Sequence, residues 1–106
     1  MKKEFHHIGV PTTDRQANEI YLADAKLYIT DAAESENRIE MLRFEASSPL
    51  PALLKTTAHV AYVVDSLEAA IAGQRVIVQP FVPMKGVRVA FIQDGQVPIE
   101  FLELSN

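Results

Sequence analysis

Two histidines and two glutamates occupy matching places in the two halves of this chain. His59 opens the run Val60-Ala61-Tyr62-Val63-Val64-Asp65, and His7 opens Ile8-Gly9-Val10-Pro11, with Asp14 a little further on. Each is answered later by a second shared phrase: Ile39-Glu40-Met41-Leu42 after His7, and Ile99-Glu100-Phe101-Leu102 after His59. Internal repetition of this kind has to be settled before anything else is read. Strand alternation places Glu40 on one face with Leu42 and Phe44, and Glu100 on one face with Leu102 and Leu104. A carboxylate on an apolar face must find a partner or be neutralised. Two of them in matching places ask for a common partner. Brought together about an approximate twofold axis, His7, His59, Glu40 and Glu100 form a set that suits Zn²⁺, Ni²⁺, Co²⁺, Mn²⁺ or Fe²⁺. An ion held there would keep open positions, and could polarise a carbonyl or lower the pKa of a water. Glu40 or Glu100 could then serve as the general base that moves a proton next to that carbonyl.

The bland alternatives are plain. A single histidine at a strand start is most often just a hydrogen-bonded or half-exposed residue. The repetition together with the glutamates is what carries the metal reading. On the strand over residues 4–10, Phe5, His7 and Gly9 share one face, so His6 is expected to point the other way in a structural role. A register slip of one residue would exchange the two histidines. Small residues near the histidines, Gly9 and Ala61, leave room in front of the sheet. Glu103 alternates away from Glu100 and reads as solvated, while Tyr62 and Phe91 read as core. Lys85 and Arg88 read as surface charges, or as partners for an anionic substrate.

The elements that position these residues are legible to different degrees. Residues 4–10, 26–31 and 38–45 read as strands, and 14–24 are ambiguous, too polar for a clear helix. Ser47-Ser48-Pro49-Leu50-Pro51 marks the joint between halves, with a helical turn at residues 52–55. In the second half, the strand over 59–64 leads to Asp65, three residues before Glu68 in capping-box spacing. A helix over 66–72 follows and Gly73 ends it. The strand over 75–79 is closed by Pro80, residues 83–86 turn, and 87–93 pairs with 97–104 across Asp94-Gly95. The second half thus runs β-α-β-β-β. The first half reads as the same order with its helix, and one strand besides, worn away.

Composition narrows the function classes. A chain of 106 residues is read as a single domain, 1–106, with modules at about 1–46 and 58–106 and a linker at 47–57. Neither half is large enough to bury a core alone. A net charge of −4 leaves no basic footprint for nucleic acid. No apolar run approaches the length of a membrane span, and no leader-like apolar segment follows Met1, so a cytoplasmic location is expected. With no cysteine, a metal must be held by imidazole and carboxylate.

The order β-α-β-β-β, with His-[Ile/Val]-[Gly/Ala] opening each module and Ile-Glu-x-Leu closing it, resembles the vicinal oxygen chelate superfamily. That group includes glyoxalase I, bleomycin-resistance proteins, extradiol dioxygenases, fosfomycin-resistance enzymes and methylmalonyl-CoA epimerase. The resemblance spans the whole chain and is strongest over residues 57–104. It implies an α+β fold in which two paired modules form a curved, cup-like mixed sheet, the first lacking most of its helix. It also implies His7, Glu40, His59 and Glu100 as metal ligands, and metal-dependent lyase or isomerase activity on a small substrate with neighbouring oxygens. A homodimer fits the same superfamily. A non-catalytic cup that sequesters a small molecule is the alternative. There are departures as well. Pro11 stands where glyoxalase I carries an arginine for glutathione, and its long terminal extensions are missing, which argues against a glutathione hemithioacetal. Extradiol dioxygenases are far longer and use no fourth ligand such as Glu40.

Overall fold

In the computed structural model, which describes residues 2–105, the chain forms one curved, mixed eight-stranded sheet with few helices. The strands are β1 (Lys3–Pro11), β2 (Ile20–Leu22), β3 (Leu27–Ile29), β4 (Ile39–Phe44), β5 (His59–Val64), β6 (Val76–Met84), β7 (Val87–Asp94) and β8 (Val97–Leu104). Two short helices, α1 (Ala52–Thr56) and α2 (Leu67–Ile71), complete it with a 3₁₀ turn at Ala32–Glu34. Across the sheet the order is β2-β3-β4-β1-β5-β8-β7-β6. This order is the same from either edge once β1 to β4 are matched with β5 to β8. The centre is built from two parallel pairs, β1 with β4 and β5 with β8, joined by the antiparallel pairing of β1 with β5.

Alternation sorts side chains to the two faces of the second half. Ala90 and Ile92 of β7 and Phe101 of β8 pack with Val64 under α2, which contributes Leu67 and Ala70. Val89 and Phe91 of β7 and Leu102 of β8 go to the opposite, concave face with Leu54 and Ala61. The helix start lies one residue later than the capping-box spacing suggests. Ser66 is the N-cap and accepts from the Ala69 amide, while Glu103 of β8 accepts from the Leu67 amide at 2.7 Å. Glu103 is therefore a helix partner, not a solvated group. Arg88 binds both Glu68 and Glu103 on this outer face, as the surface reading of that arginine expected. Gly73, at φ +73°, stops the helix in the left-handed region open to glycine.

The first half keeps all four strands. The strand expected to be worn away is present as β2, only three residues long and thus without readable alternation. No helix joins it to β1. Instead the outer face of β3 and β4 is coated by side chains: Arg43 makes two hydrogen bonds to Glu19, at 2.7 and 2.8 Å, and lies 4.2 Å over the Tyr28 ring. Pro80 does not end its strand either. β6 runs on to Met84 because it is an edge strand with broken register against β7, where an imino group need not donate. On the concave face Phe81 of β6 packs against both the Leu54–Leu102 cluster and a second cluster of Ala25, Leu27, Ile29 and Leu42. It ties the far edge back to the first half.

Leu67 has none of its surface exposed and fixes α2 to the sheet. Leu67→Ala is expected to lower unfolding free energy by ~2–5 kcal/mol in urea titrations, through a cavity beneath α2.

Candidate metal centre

The pairing of the four central strands sets two short rows of residues across the concave face. In one row Glu40 of β4 stands beside Gly9 of β1, and Gly9 stands beside His59 of β5. In the other, His7 of β1 stands beside Ala61 of β5, and Ala61 beside Glu100 of β8. Each row is thus histidine, small residue, glutamate, and the rows run in opposite senses. The repeated phrases of the sequence become one constellation.

The small residues have a more direct purpose than leaving space for a ligand. A Cβ built on Gly9 would lie 2.1 Å from Cε1 of His59 and 2.5 Å from its Nε2. The His59 imidazole lies across Gly9 itself, and only glycine lets it do so. Its far side meets Phe91 edge-on at 5.2 Å between centroids. The His7 ring lies 5.7 Å from it, nearly perpendicular.

Glu100 joins both rings. Its Oε1 is 3.0 Å from His59 Nε2 and 3.2 Å from His7 Nε2. The first contact has hydrogen-bond geometry. The second does not, and His7 Nε2 is buried with no hydrogen-bond partner. Glu40 Oε1 sits 3.6 Å from the same His7 nitrogen. His7, Glu40 and His59 each offer a ligand atom, all within 4.8 Å of one another. This group can hold a metal ion. An imidazole nitrogen without a hydrogen-bond partner, beside two carboxylates, is a donor set that suits a divalent transition metal. Glu100 adjoins the group through the two histidines.

His6 departs from expectation. The ladder between β1 and β5 shifts register between Phe5 and His7, so His6 is the extra residue of a β-bulge. The bulge interrupts the alternation that would send His6 to the opposite face, and its Nδ1 lies 2.7 Å from Nδ1 of His7. Only one of these two nitrogens can carry the hydrogen. Which of them carries it sets the tautomer of His7, and with it whether Nε2 meets the glutamates as a donor or as a lone pair. Arg38, which sequence reasoning passed over, donates its Nε to the backbone oxygen of His6 at 2.8 Å. The contact joins residues 32 positions apart, and no local spacing points to it.

The two carboxyls titrate in opposite directions. Burial pushes Glu40 up to about 7, against the pull of His7, with Glu100 and Asp31 adding to the rise. Burial acts upward on Glu100 too, but the contacts from His59 and His7 overcome it and hold that carboxyl below its ordinary range. One glutamate is therefore anchored as an anion while the other sits near neutrality. Behind them the concave face forms a cavity of about 260 Å³.

By sequence, the chain matches no protein-family profile and no curated protein. By structure it is similar to the crystal structure of a hypothetical protein, BH1468, from Bacillus halodurans C-125. The TM-score is 0.72 at 21% identity, over 100% of this chain and 97% of that one. The likeness supports the fold alone.

Two expectations follow from this geometry. Because the folded pKa of Glu40 lies above its free-chain value of 4.5, the folded state binds that proton more tightly. Its contribution to stability is complete below about 4.5 and lost as pH rises through about 7. Urea unfolding of metal-free protein should show this loss in the difference between wild type and Glu40→Gln, which lacks the titrating group. Gly9→Ala should displace the His59 ring, visible as large shifts of its imidazole NMR signals with the sheet's circular dichroism unchanged.

Proposed function

We propose that this protein is a metal-dependent lyase or isomerase of the glyoxalase-like type, acting on a small substrate that presents two neighbouring oxygens. The observation that carries the reading is the convergence of His7, Glu40 and His59 within 4.8 Å, with the buried His7 Nε2 lacking a hydrogen-bond partner. The resemblance of the repeated His and Ile-Glu-x-Leu phrases to the vicinal oxygen chelate superfamily supports it from the sequence side. His7, His59, Glu40 and Glu100 are the residues that would hold the ion. Bound there, a divalent metal supplies Lewis acidity toward a carbonyl oxygen.

The remaining work falls to the chain. Glu100 is buried, ionised and shared between two imidazoles, which suits a fixed anchor. Glu40 is the candidate base. Detached from the ion, its carboxylate would take a proton from carbon and return it. His6 and Arg38 act at one remove, by holding the His7 ring. Apolar walls around the floor limit water near the exchanging proton.

The same walls favour one other reading, a non-catalytic protein that binds a small molecule in the cup. Metal content separates the two. Protein purified without chelator is expected to contain about one equivalent of a transition metal, lost in His59→Ala and Glu100→Gln, as read by elemental analysis. Glu40→Gln is expected to weaken metal binding and, in protein saturated with added metal, to lose at least a hundredfold in turnover, in the range typical of a removed general base. Wild-type protein that takes up no Ni²⁺, Zn²⁺, Co²⁺, Mn²⁺ or Fe²⁺ on incubation would leave the binding reading in its place.

A further inference from the structure

The cavity above the metal group is divided chemically into a floor and a wall. The floor carries His7, Glu40, His59 and Glu100. The wall is aliphatic and aromatic, built from Leu27, Leu42, Leu54, Phe81, Val89 and Leu102. At the mouth, Ile20 of β2, Met84 of β6 and Leu104 of β8 line the same space and are exposed, so the apolar surface continues out to solvent. Asp31 joins the two glutamates as a third acidic lining residue.

Among the described residues, no lysine or arginine lines this cavity. The nearby arginines are engaged elsewhere: Arg38 on the His6 carbonyl, Arg43 on Glu19, Arg88 on Glu68 and Glu103. His6 lines the cavity but is committed to His7. A divalent ion on the floor would offset two of the three carboxylates. A carboxylate or phosphate on the far end of a ligand would therefore be desolvated without a cation. A cationic end would lose its hydration to the same hydrocarbon wall. An apolar cavity of about 150 Å³ accepts a benzene ring, so about 260 Å³ holds a ring-sized group and a small polar head.

We infer that the cup selects an uncharged ligand with its neighbouring oxygens at one end and an apolar tail, about the size of a ring or a short alkyl chain, at the other. The position of the oxygens rests on the proposed metal site; the character of the tail rests on the wall alone. Substrates whose recognition depends on a remote anionic group are excluded by the same argument.

Hydroxamic acids test the tail with the head held constant, since each offers the same two neighbouring oxygens. Affinities of Ni²⁺-loaded protein would be measured by calorimetry for acetohydroxamic acid, hexanohydroxamic acid, adipic monohydroxamic acid and 6-aminohexanohydroxamic acid. Hexanohydroxamic acid is expected to bind at least tenfold tighter than acetohydroxamic acid, given about three- to fourfold per buried methylene. The carboxylate- and amine-ended analogues are expected to bind at least tenfold weaker than the hexano compound. Equal or tighter binding of either charged analogue, or affinity independent of tail length, overturns the inference while leaving the metal reading intact. Metal-free protein provides the separate arm, with hexan-1-ol and hexanoate titrated against the methyl NMR signals of Leu27 and Leu42. Preference for the alcohol there supports the tail assignment even if no metal is taken up, and preference for hexanoate overturns it.

Discussion

A carboxylate with as little surface exposed as Glu100 could not remain charged in this sheet by itself. Removing such an ion from water costs several kcal/mol, and only the two imidazoles that converge on Oε1 offset that cost. Much of the site follows from this requirement. The imidazoles must come from two strands that pair with each other, so β1 and β5 lie together at the centre of the sheet. Their rings must reach the concave face, so the neighbouring positions must be small. Gly9 meets that demand completely, because the ring of His59 occupies the space where a Cβ would stand. Glu40 lacks an equivalent pair of contacts, and its proton is correspondingly easier to exchange near neutral pH.

The constellation was legible in the sequence because it rests on alternation and on repetition, both of which survive translation into a sheet. Glu40 and Glu100 betrayed themselves as charges among Leu42, Phe44, Leu102 and Leu104. His6 did not, since a bulge cancels alternation locally and leaves no mark in residue types. β2 leaves no pattern because three residues are too few to show a period, and β6 outruns Pro80 because a proline stops a strand only where its amide must donate. That condition holds inside a sheet and fails at an edge. The helix was found but its cap misplaced by one residue: Asp65 and Ser66 are both competent caps, and the choice depended on how Glu103 approached the Leu67 amide.

The two halves use one plan with different means of covering their outer faces. In the second, α2 buries Leu67 and Ala70 against β7 and β8. In the first, Arg43, Glu19 and Tyr28 form a polar, stacked surface that asks for no helix. The concave face, by contrast, is apolar across both halves and is joined by Phe81, Phe44 and Leu50, which pack against the clusters of both. A shared inner surface with divergent outer ones is the arrangement expected where the inner surface binds something.

The two prolines of β6 bear on how these molecules behave toward one another. An open sheet edge offers backbone amides to any strand of another molecule and so invites fibrous association at high concentration. β6 is such an edge, long and with exposed Val82 and Met84. Pro80 and Pro83 have no amide hydrogen to offer, and neither is a paired position against β7. The opposite edge, β2, is too short to template much. Two edges of this kind leave other molecules little backbone to pair with on either side of the cup.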